Sequence, residues 1–233
     1  MMACNSLQTK TYQDDLVMPL ADGQEDSLFY SISLEYATGG MRVPPMEKIN
    51  QAIVQQAFDL EDAAGSLEEL ATTYRENLID EYITENGNFE EEEHGVLTWE
   101  DKINGVFTGD YKGWRNYLLS YYSYRGGAHG IQTVSQLVFD KETGALVSEN
   151  ALFAEGYAQP VSQLLQEAIK ADMEAEDPEL LPLVEMDFVV PNGNFSVGAS
   201  GIHWIFQPYE VGPYALGIVT ASLSWEQLKP YLK

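Results

Sequence analysis

Side chains that commonly perform catalysis or bind metals are few: the 233 residues include three histidines and a single cysteine, Cys4. One cysteine can form neither a disulfide framework nor a thiolate zinc cluster. His129 lies in a Gly-Gly-Ala-His-Gly turn without an acid or second histidine at ligand spacing, so we interpret its imidazole as bonding the backbone. His203 is expected on a strand, and His94 follows four glutamates and is expected to be solvated. The sequence therefore predicts no metal and no cofactor.

Carboxylates are abundant, but their spacing does not indicate an active site. The neighbouring acids at positions 14–15 and 61–62 would face opposite ways on a strand and would be solvated in a loop. The four glutamates at positions 90–93 lack the spaced oxygen ligands and the glycine of a calcium loop. Neither a Gly-x-Ser-x-Gly elbow nor a nucleotide-binding glycine motif occurs. We therefore predict no catalytic residue and expect that the protein is not an enzyme.

The charge of the chain excludes several classes of partner. Asp and Glu number 37 against 12 Lys and Arg, which gives a formal net charge of −25. Such a surface repels phosphate backbones and anionic lipid headgroups, so we expect no binding to nucleic acid. It suits a cationic protein partner, although solubility alone also explains it. Apolar residues make up 45% of the chain, enough for a sizeable core, and no window approaches 18 consecutive apolar residues.

Hydrophobic periodicity predicts a strand–helix–strand plan that occurs twice. Residues 27–36 alternate between apolar and polar side chains, as in a half-buried strand. Ser66 and Glu69 have the spacing of a capping box that starts a helix, and Gly87 ends it. The pattern indicates an α+β fold, with mainly antiparallel sheets each packed by helices in two strand–helix–strand lobes. The other predicted elements are helices near residues 44–60 and 160–173 and strands near residues 116–124, 131–139, 194–197, 202–207 and 216–223.

We divide the chain into three parts on this basis. Residues 1–26 are predicted to be an N-terminal tether, residues 27–110 an N-terminal α+β lobe and residues 111–233 a C-terminal α+β lobe. Glycine supplies backbone angles that other residues resist, and proline and aspartate favour tight turns. The predicted structural turn residues are Gly126, Gly127, Gly130, Asp140, Gly144, Gly212 and Pro213.

Two turn segments contain the candidate ligand contacts. Tyr209, Glu210 and Tyr214 lie in a loop stiffened by a Gly-Pro pair. A carboxylate framed by aromatic rings suits either a buried backbone anchor or a surface contact. Aromatic residues before the glycine-rich turn suit either a core or a binding platform. The candidate ligand-binding residues are Tyr124, His129, Tyr209, Glu210 and Tyr214.

The start of the chain suggests a location. Ala3 followed by Cys4 has the form of the end of a lipoprotein signal peptide, in which the cysteine is acylated and becomes the mature N-terminus. The positive and apolar regions that precede such a site are not seen before it. The alternative is an ordinary free cysteine near a frayed terminus. We predict lipidation at Cys4, which would place the protein outside the cytoplasm, in the periplasm or on the cell surface, with membrane attachment only through the lipid.

Several segments carry a family resemblance. Tyr-Ser-Tyr-Arg-Gly-Gly-Ala-His-Gly at residues 122–130 and Phe-Asp-Lys-Glu-Thr-Gly at residues 139–144 resemble the turns of a bacterial domain family of unknown function. That family forms the C-terminal extracellular part of the lysozyme-sensing anti-sigma factor RsiV. Residues 202–206 and 209–217 resemble its closing segments. Upstream, residues 29–36 and 49–53 resemble a companion domain that often precedes it and also occurs in some peptidoglycan deacetylases.

The resemblance implies an α+β ectodomain outside the cytoplasmic membrane, and in RsiV this part binds lysozyme. No transmembrane, sigma-binding or deacetylase segment is recognised in the sequence, so we do not expect those activities to carry over. The expected function is that of a non-catalytic extracytoplasmic (envelope) binding protein. Its expected partner is a cationic protein such as lysozyme, or a cell-wall component. The alternative is an enzyme that acts on cell-wall glycan, or an accessory domain of one.

Overall fold

The computed structural model describes residues 6–21, 25–61, 64–87 and 97–233. Cys4, His94 and the four glutamates at positions 90–93 lie outside these ranges, so lipidation at Cys4 stays a prediction. The chain forms two compact units. Unit 1 comprises Met1–Val106 and Leu119–Gln132, and unit 2 comprises Phe107–Leu118 and Thr133–Lys233. In the described ranges, no helix has both the length and the apolar composition to cross a bilayer.

The predicted α+β class is confirmed, with helices beside one five-stranded and one three-stranded sheet. Strand order in the larger sheet follows the chain, β1-β2-β3-β4-β5, and several of its strands contribute residues to both units. β1 and β2 pair antiparallel, whereas β2 and β3 pair parallel. Parallel strands need a crossover connection, and the one between β2 and β3 contains two helices. The strands are β1 (Gln8–Pro19), β2 (Ser27–Gly39), β3 (Trp99–Tyr111), β4 (Trp114–Tyr124) and β5 (Ile131–Asp140).

The core of unit 1 follows the predicted alternation of β2. Leu28, Tyr30, Ile32 and Leu34 all point inward and are at most 2% exposed. Two helices supply further apolar residues, α1 (Val43–Phe58) and α2 (Leu67–Asn86). The predicted capping box is confirmed: the amide of Glu69 donates to the Ser66 hydroxyl, and the Glu69 carboxylate accepts from the amide of Ser66.

The prediction of a tether at residues 1–26 is wrong for Gln8–Pro19, because these residues form β1 and pair with the whole of β2. Its side chains alternate between exposed and half-buried. The half-buried positions include Thr9 and Asp14, so the sequence of this strand does not show a continuous apolar face. Asp14 accepts two hydrogen bonds from Arg75 of α2, at 2.7 and 2.9 Å. This charged contact with a helix therefore adds to the half-buried Tyr12, Leu16 and Met18 in fixing the strand.

Unit 2 contains a three-stranded antiparallel sheet, formed by β6 (Phe195–Val197), β7 (Gly201–Phe206) and β8 (Val219–Ser224). Its helices are α3 (Glu149–Leu152), α4 (Ala158–Glu176) and α5 (Trp225–Leu228). The predicted strand at 216–223 begins late, because Tyr214–Leu216 form a 3-10 turn and Gly217 has a φ of 63°. Apolar residues of α4 pack on the sheet to form the core, which includes Val161, Leu165, Ile169, Phe195, Trp204 and Phe206.

The buried side chain of Glu149 and the half-buried side chain of Asn194 join loops of unit 2 to this core. The carboxylate of Glu149, which is 7% exposed, accepts hydrogen bonds from the Trp204 indole at 2.7 Å, the Gly193 amide at 3.1 Å and the Tyr157 hydroxyl at 3.1 Å. The Asn194 side chain accepts from the amide of Gln136 at 2.7 Å. Such groups are costly to bury unless they are bonded, so they fix the loops that they hold.

Candidate functional site

The glycine turn, residues 125–130 of unit 1, has the backbone that its glycines predict. Gly126 and Gly127 have φ angles of 86° and 90°, which L-residues rarely adopt. The Tyr124 hydroxyl donates to the carbonyl of Gly127 at 3.0 Å and closes the turn. His129 places Nδ1 3.0 Å from the carbonyl of Gly130, so its imidazole contacts the backbone, as the sequence predicts.

A buried carboxylate anchors the start of the glycine turn, and sequence reasoning missed it. Asp101 on β3 is fully buried and accepts from the Arg125 guanidinium at 2.5 Å. The hydroxyls of Tyr121 and Tyr74 lie 3.2 and 3.4 Å from its oxygens. The same guanidinium stands 4.6 Å from the ring centroid of Trp99. These contacts hold Arg125, which is the first residue of the turn, against β3.

Burial decides the electrostatics of this cluster. Desolvation raises the pKa of Asp101, and the charge and hydrogen bonds of Arg125 oppose that rise. Burial, followed by the charge of Asp101, raises the pKa of Tyr74. These directions describe a charged pair that is held in a poorly solvated place, with hydroxyl groups as additional donors. The arrangement is a structural anchor, because each named group is already bonded to another.

The second predicted turn lies in unit 2 and is closed by Asp140. Its carboxylate accepts from the amides of Glu142 at 3.0 Å and Thr143 at 2.7 Å, and from the Thr143 hydroxyl at 2.8 Å. Gly144 has a φ of 72° and donates its amide to the Asp140 carbonyl at 2.8 Å. The hydrogen bonds with Thr143 lower the pKa of Asp140. Asp140 and Gly144 therefore form the tight turn that the sequence predicts.

The aromatic loop, residues 207–217 of unit 2, contains the other candidate contacts. Tyr209 has a φ of 70° and is 59% exposed, and its ring centroid lies 5.6 Å from that of Tyr214. The carboxylate of Glu210 accepts from the amide of Gln207 and from the side-chain amide of Asn192, each at 2.7 Å. Of the two roles left open by the sequence, the geometry of Glu210 fits the internal anchor.

Gly212 joins this loop to the preceding segment of unit 2. Its φ is 152°, and an added Cβ would stand 2.5 Å from both the carbonyl oxygen of Leu183 and Cδ1 of Leu216. The following residue, Pro213, precedes the 3-10 turn at Tyr214–Leu216. The amide of Glu185 donates to the carbonyl of Val211 at 2.8 Å. The aromatic loop and residues 183–185 are therefore packed together, backbone against backbone.

Exposed apolar side chains cluster in sequence on the segment that this loop contacts. Leu183, Phe188 and Val190 are 39%, 58% and 43% exposed. Glu185 and Asp187 alternate with them and are exposed as well. The Gln166 side chain of α4 donates to the carbonyl of Met186 at 2.9 Å, which ties the segment down. We call Leu183, Glu185, Asp187, Phe188, Val190 and Tyr209 the aromatic–acidic surface.

The structure divides the five candidate ligand contacts between the two units. Tyr124 and His129 belong to unit 1, and Tyr209, Glu210 and Tyr214 belong to unit 2. Sequence reasoning missed Phe188 and Val190, although two apolar residues beside Asp187 in a segment without periodicity were a usable signal. The three residues of unit 2 belong to a loop whose backbone packs on residues 183–185, next in sequence to the exposed Phe188 and Val190, so we place the candidate binding surface there.

The grouping of metal-ligating side chains is the next feature of the described residues. Across the part of the chain that the structure describes, no three His, Cys, Asp or Glu side chains are grouped as a metal site would require. His203 on β7 places Nδ1 2.9 Å from the Ser222 hydroxyl of β8, and burial lowers the pKa of this imidazole. The two residues are cross-strand neighbours, so the contact follows from strand register.

Comparison with known proteins gives a fold and a partial family match. Residues 150–226, about a third of the chain, match the model of a family described as a protein of unknown function (DUF3298). A DUF3298 family member from Bacteroides fragilis is 20% identical, with a TM-score of 0.87 over 99% of this chain and 95% of that one. A DUF3298 family protein from Pseudomonas aeruginosa is 14% identical, with a TM-score of 0.72 over 99% and 96%. No curated protein matches the chain.

Proposed function

We propose that this protein is a non-catalytic binding protein that recognises a cationic protein through the aromatic–acidic surface of unit 2. The observation that carries the proposal is this surface itself, in which exposed apolar side chains alternate with exposed carboxylates on a segment tied down by hydrogen bonds. Protein interfaces combine central aromatic or apolar anchors with a polar rim. Tyr209 and Phe188 have the exposure that such anchors need before binding.

The rigidity of the aromatic loop supports the proposal. Ordering a loop on binding costs free energy, and a loop that is already fixed avoids that cost. Glu210 fixes the loop through Gln207 and Asn192, and Gly212 packs it on the carbonyl of Leu183. The function of Glu210 in this scheme is to hold Tyr209 in place rather than to contact the partner.

The charge balance supports a cationic partner. If each of the 12 Lys and Arg residues neutralised one of the 37 acids, 25 carboxylates would still lack a cation of the same chain. Such an excess speeds encounter with a basic protein and slows encounter with an acidic one. Lysozyme is the first partner to test, because residues 202–206 and 209–217 resemble closing segments of the lysozyme-binding part of RsiV.

The test measures binding of hen lysozyme to the immobilised protein at about 0.01 M and 0.15 M salt, where the Debye length is about 30 Å and 8 Å. We expect saturable binding whose association rate falls as salt rises, while dissociation changes less. Tyr209→Ala should weaken binding with little change in melting temperature. Ile83→Ala is the matched control, because it removes a side chain that is 48% exposed in unit 1.

Equal loss of affinity in Tyr209→Ala and Ile83→Ala would contradict the assigned surface. No saturable signal at low salt would remove lysozyme as the partner, and a panel of other basic proteins would then test the binding function itself. An assay with muropeptides addresses the alternative of a glycan-acting enzyme. Release of sugar or acetate that scales with protein concentration would overturn the non-catalytic assignment.

The location proposed for this function is extracytoplasmic, with a lipid anchor at Cys4. A soluble extracellular partner such as lysozyme would be reached only from that side of the membrane. Full-length protein expressed in cells should incorporate a fatty-acid analogue and fractionate with membranes. Cys4→Ala should lose the label and move to the soluble fraction, and membrane association that persists in this variant would contradict the anchor.

A further inference from the structure

A cleft in unit 1 is lined by none of the candidate ligand contacts and by no residue of the aromatic–acidic surface. It has a volume of about 420 Å³ and is bounded by β2, α1 and α2. Leu34, Ile53 and Val54 line it and are buried, and Leu67 and Leu70 add apolar surface from α2. Small-molecule sites commonly have volumes of about 300–1,000 Å³ and apolar linings. The size and the lining suit a ligand with a short apolar chain.

Hydrogen bonds fix α1, which forms one wall of the cleft, on its neighbours. The Asn50 side chain accepts from the amide of Ala37 at 2.9 Å and donates to its carbonyl at 2.8 Å, which fixes α1 on β2. The Gln55 side chain donates to the carbonyl of Glu61 at 3.0 Å and fixes the end of α1. A ligand would therefore enter a largely preformed site, which lowers the cost of binding.

The charges of the lining select among apolar ligands. Glu47 of α1 and Glu68 of α2 line the cleft, and both are exposed. Among the described residues that line it, none is Lys, Arg or His. Tyr36 adds an aromatic ring at the same cleft, a group that attracts cations when its face is available. An anionic chain, such as a fatty acid, would meet two carboxylates and no cation.

The amino end of α2 also lies at the cleft and would by itself favour an anion. That end is already neutralised within the chain. Glu68 and Glu69 occupy the first turn, and the capping box satisfies the amides of Ser66 and Glu69. The amino end therefore does not reverse the preference that the lining carboxylates set.

We propose that this cleft binds a small cationic amphiphile, with the apolar chain against Val54, Leu67 and Leu70 and the ammonium group beside Glu47 and Glu68. The site lies in unit 1 and is independent of the aromatic–acidic surface of unit 2. A protein with this site would discriminate between amine and carboxylate headgroups on identical chains. That discrimination separates recognition of the headgroup from simple uptake of an apolar chain.

The experiment compares decylamine with decanoate, which share chain length and differ in headgroup charge, below their micellar concentrations at pH 7. Calorimetry gives the affinities, and methyl NMR of Ile53 and Val54 locates the ligand. We expect decylamine to bind and shift both methyl resonances, and decanoate to bind at least tenfold more weakly. Exposed ion pairs contribute modestly, so Glu47→Gln and Glu68→Gln should each weaken decylamine binding about two- to fivefold.

Glu81→Gln is the matched control, because Glu81 is an exposed carboxylate of α2 that does not line the cleft. Its affinity for decylamine should equal that of the unaltered protein. Equal binding of decylamine and decanoate would overturn the proposal, as would no binding of decylamine. An equal loss in Glu81→Gln and Glu68→Gln, or unchanged Ile53 and Val54 resonances, would overturn it as well.

Discussion

The glycine turn of unit 1 and the aromatic loop of unit 2 look alike in sequence and differ in structure. Each places glycines close to tyrosine and to a side chain that could perform chemistry. Tyr124 precedes the glycine turn with its His129, and Tyr209 and Tyr214 flank Glu210 in the aromatic loop. In the glycine turn the Tyr124 hydroxyl is bonded to the turn backbone, and Arg125 is held by the buried Asp101. In the aromatic loop the carboxylate of Glu210 is bonded internally, and Tyr209 remains exposed.

The difference shows that the internal anchor, rather than the residue composition, decides what a loop presents. Arg125 binds a carboxylate that has no access to water, so that loop is tied to the core by a charge. Glu210 is half-buried and binds a backbone amide and a side-chain amide, so this loop is tied to its own neighbours. Breaking each anchor should therefore have different consequences for stability and for binding.

The largest expected effect comes from removing the anchor of the glycine turn. Arg125→Ala leaves the Asp101 carboxylate buried with only hydroxyl donors, and loss of one partner of a buried pair costs about 3 kcal/mol or more. Urea unfolding followed by circular dichroism measures the loss. Arg75→Ala is the control, because it breaks an Arg–Asp pair in which both side chains retain some exposure, 31% and 17%. Equal losses in the two variants would show that burial of Asp101 does not matter.

The same anchor predicts a dependence of stability on pH. Burial raises the pKa of Asp101, so the folded state binds its proton more tightly than the unfolded state does. The stabilisation from that proton is fully present below the ordinary aspartate pKa and is lost as pH rises through the folded pKa. The stability of the unaltered protein relative to Asp101→Asn should therefore increase as pH falls from 7 towards 4. A constant difference over that range would contradict the raised pKa.

A smaller effect is expected from glycines that differ in their surroundings. Gly212→Ala would place a Cβ 2.5 Å from the Leu183 carbonyl at a φ of 152°, so it should cost about 2–3 kcal/mol. Gly127→Ala meets nothing within 4 Å at a φ of 90°, so backbone strain alone should cost about 1 kcal/mol. Gly113→Ala, which also meets nothing within 4 Å, is the control. Melting temperatures that fall in any other order would contradict this assignment.

The smallest expected effect separates the two possible roles of Glu210. Glu210→Gln replaces one accepting oxygen by the NH2 group of an amide, a donor that would face the donating Gln207 amide or Asn192 side chain and cost about 1–2 kcal/mol. Glu167→Gln on the exposed side of α4 should leave stability unchanged. A melting temperature that stays constant in Glu210→Gln, together with weaker lysozyme binding, would instead show that Glu210 contacts the partner.

Local signals in the sequence were sufficient for elements whose stabilising contacts are also local. The β2 alternation, the Ser66 capping box and the Asp140 turn each depend on residues within a few positions of one another. β1 was missed because its half-buried side includes polar residues and its ion pair comes from Arg75, far along the chain. A hydrophobicity pattern does not show which distant group the polar side chains of a strand will contact.

The candidate site also has features that the sequence could predict and features that it could not. The exposure of Tyr209 and the internal bonds of Glu210 were among the alternatives that the sequence left open. The Asp101–Arg125 pair was not, because the two residues are 24 positions apart and Asp101 lies between Glu100 and Lys102. A run of three charged residues is usually solvated, but in the structure Asp101 is fully buried, with Tyr74, Tyr121 and Arg125 in contact with it.

The parallel pairing of β2 with β3 also has a consequence for synthesis on the ribosome. β1 and β2 are adjacent in the chain and can pair as soon as both have emerged, but Leu28 of β2 must wait for Trp99 of β3. At a synthesis rate of roughly 5–20 residues per second, one edge of the apolar strand β2 stays without a hydrogen-bonding partner for several seconds. A nascent chain arrested at Gly87 should therefore crosslink to holdase chaperones more strongly than one that continues past β3. During the interval between these two strands, the unpaired edge of β2 is a possible site of aggregation.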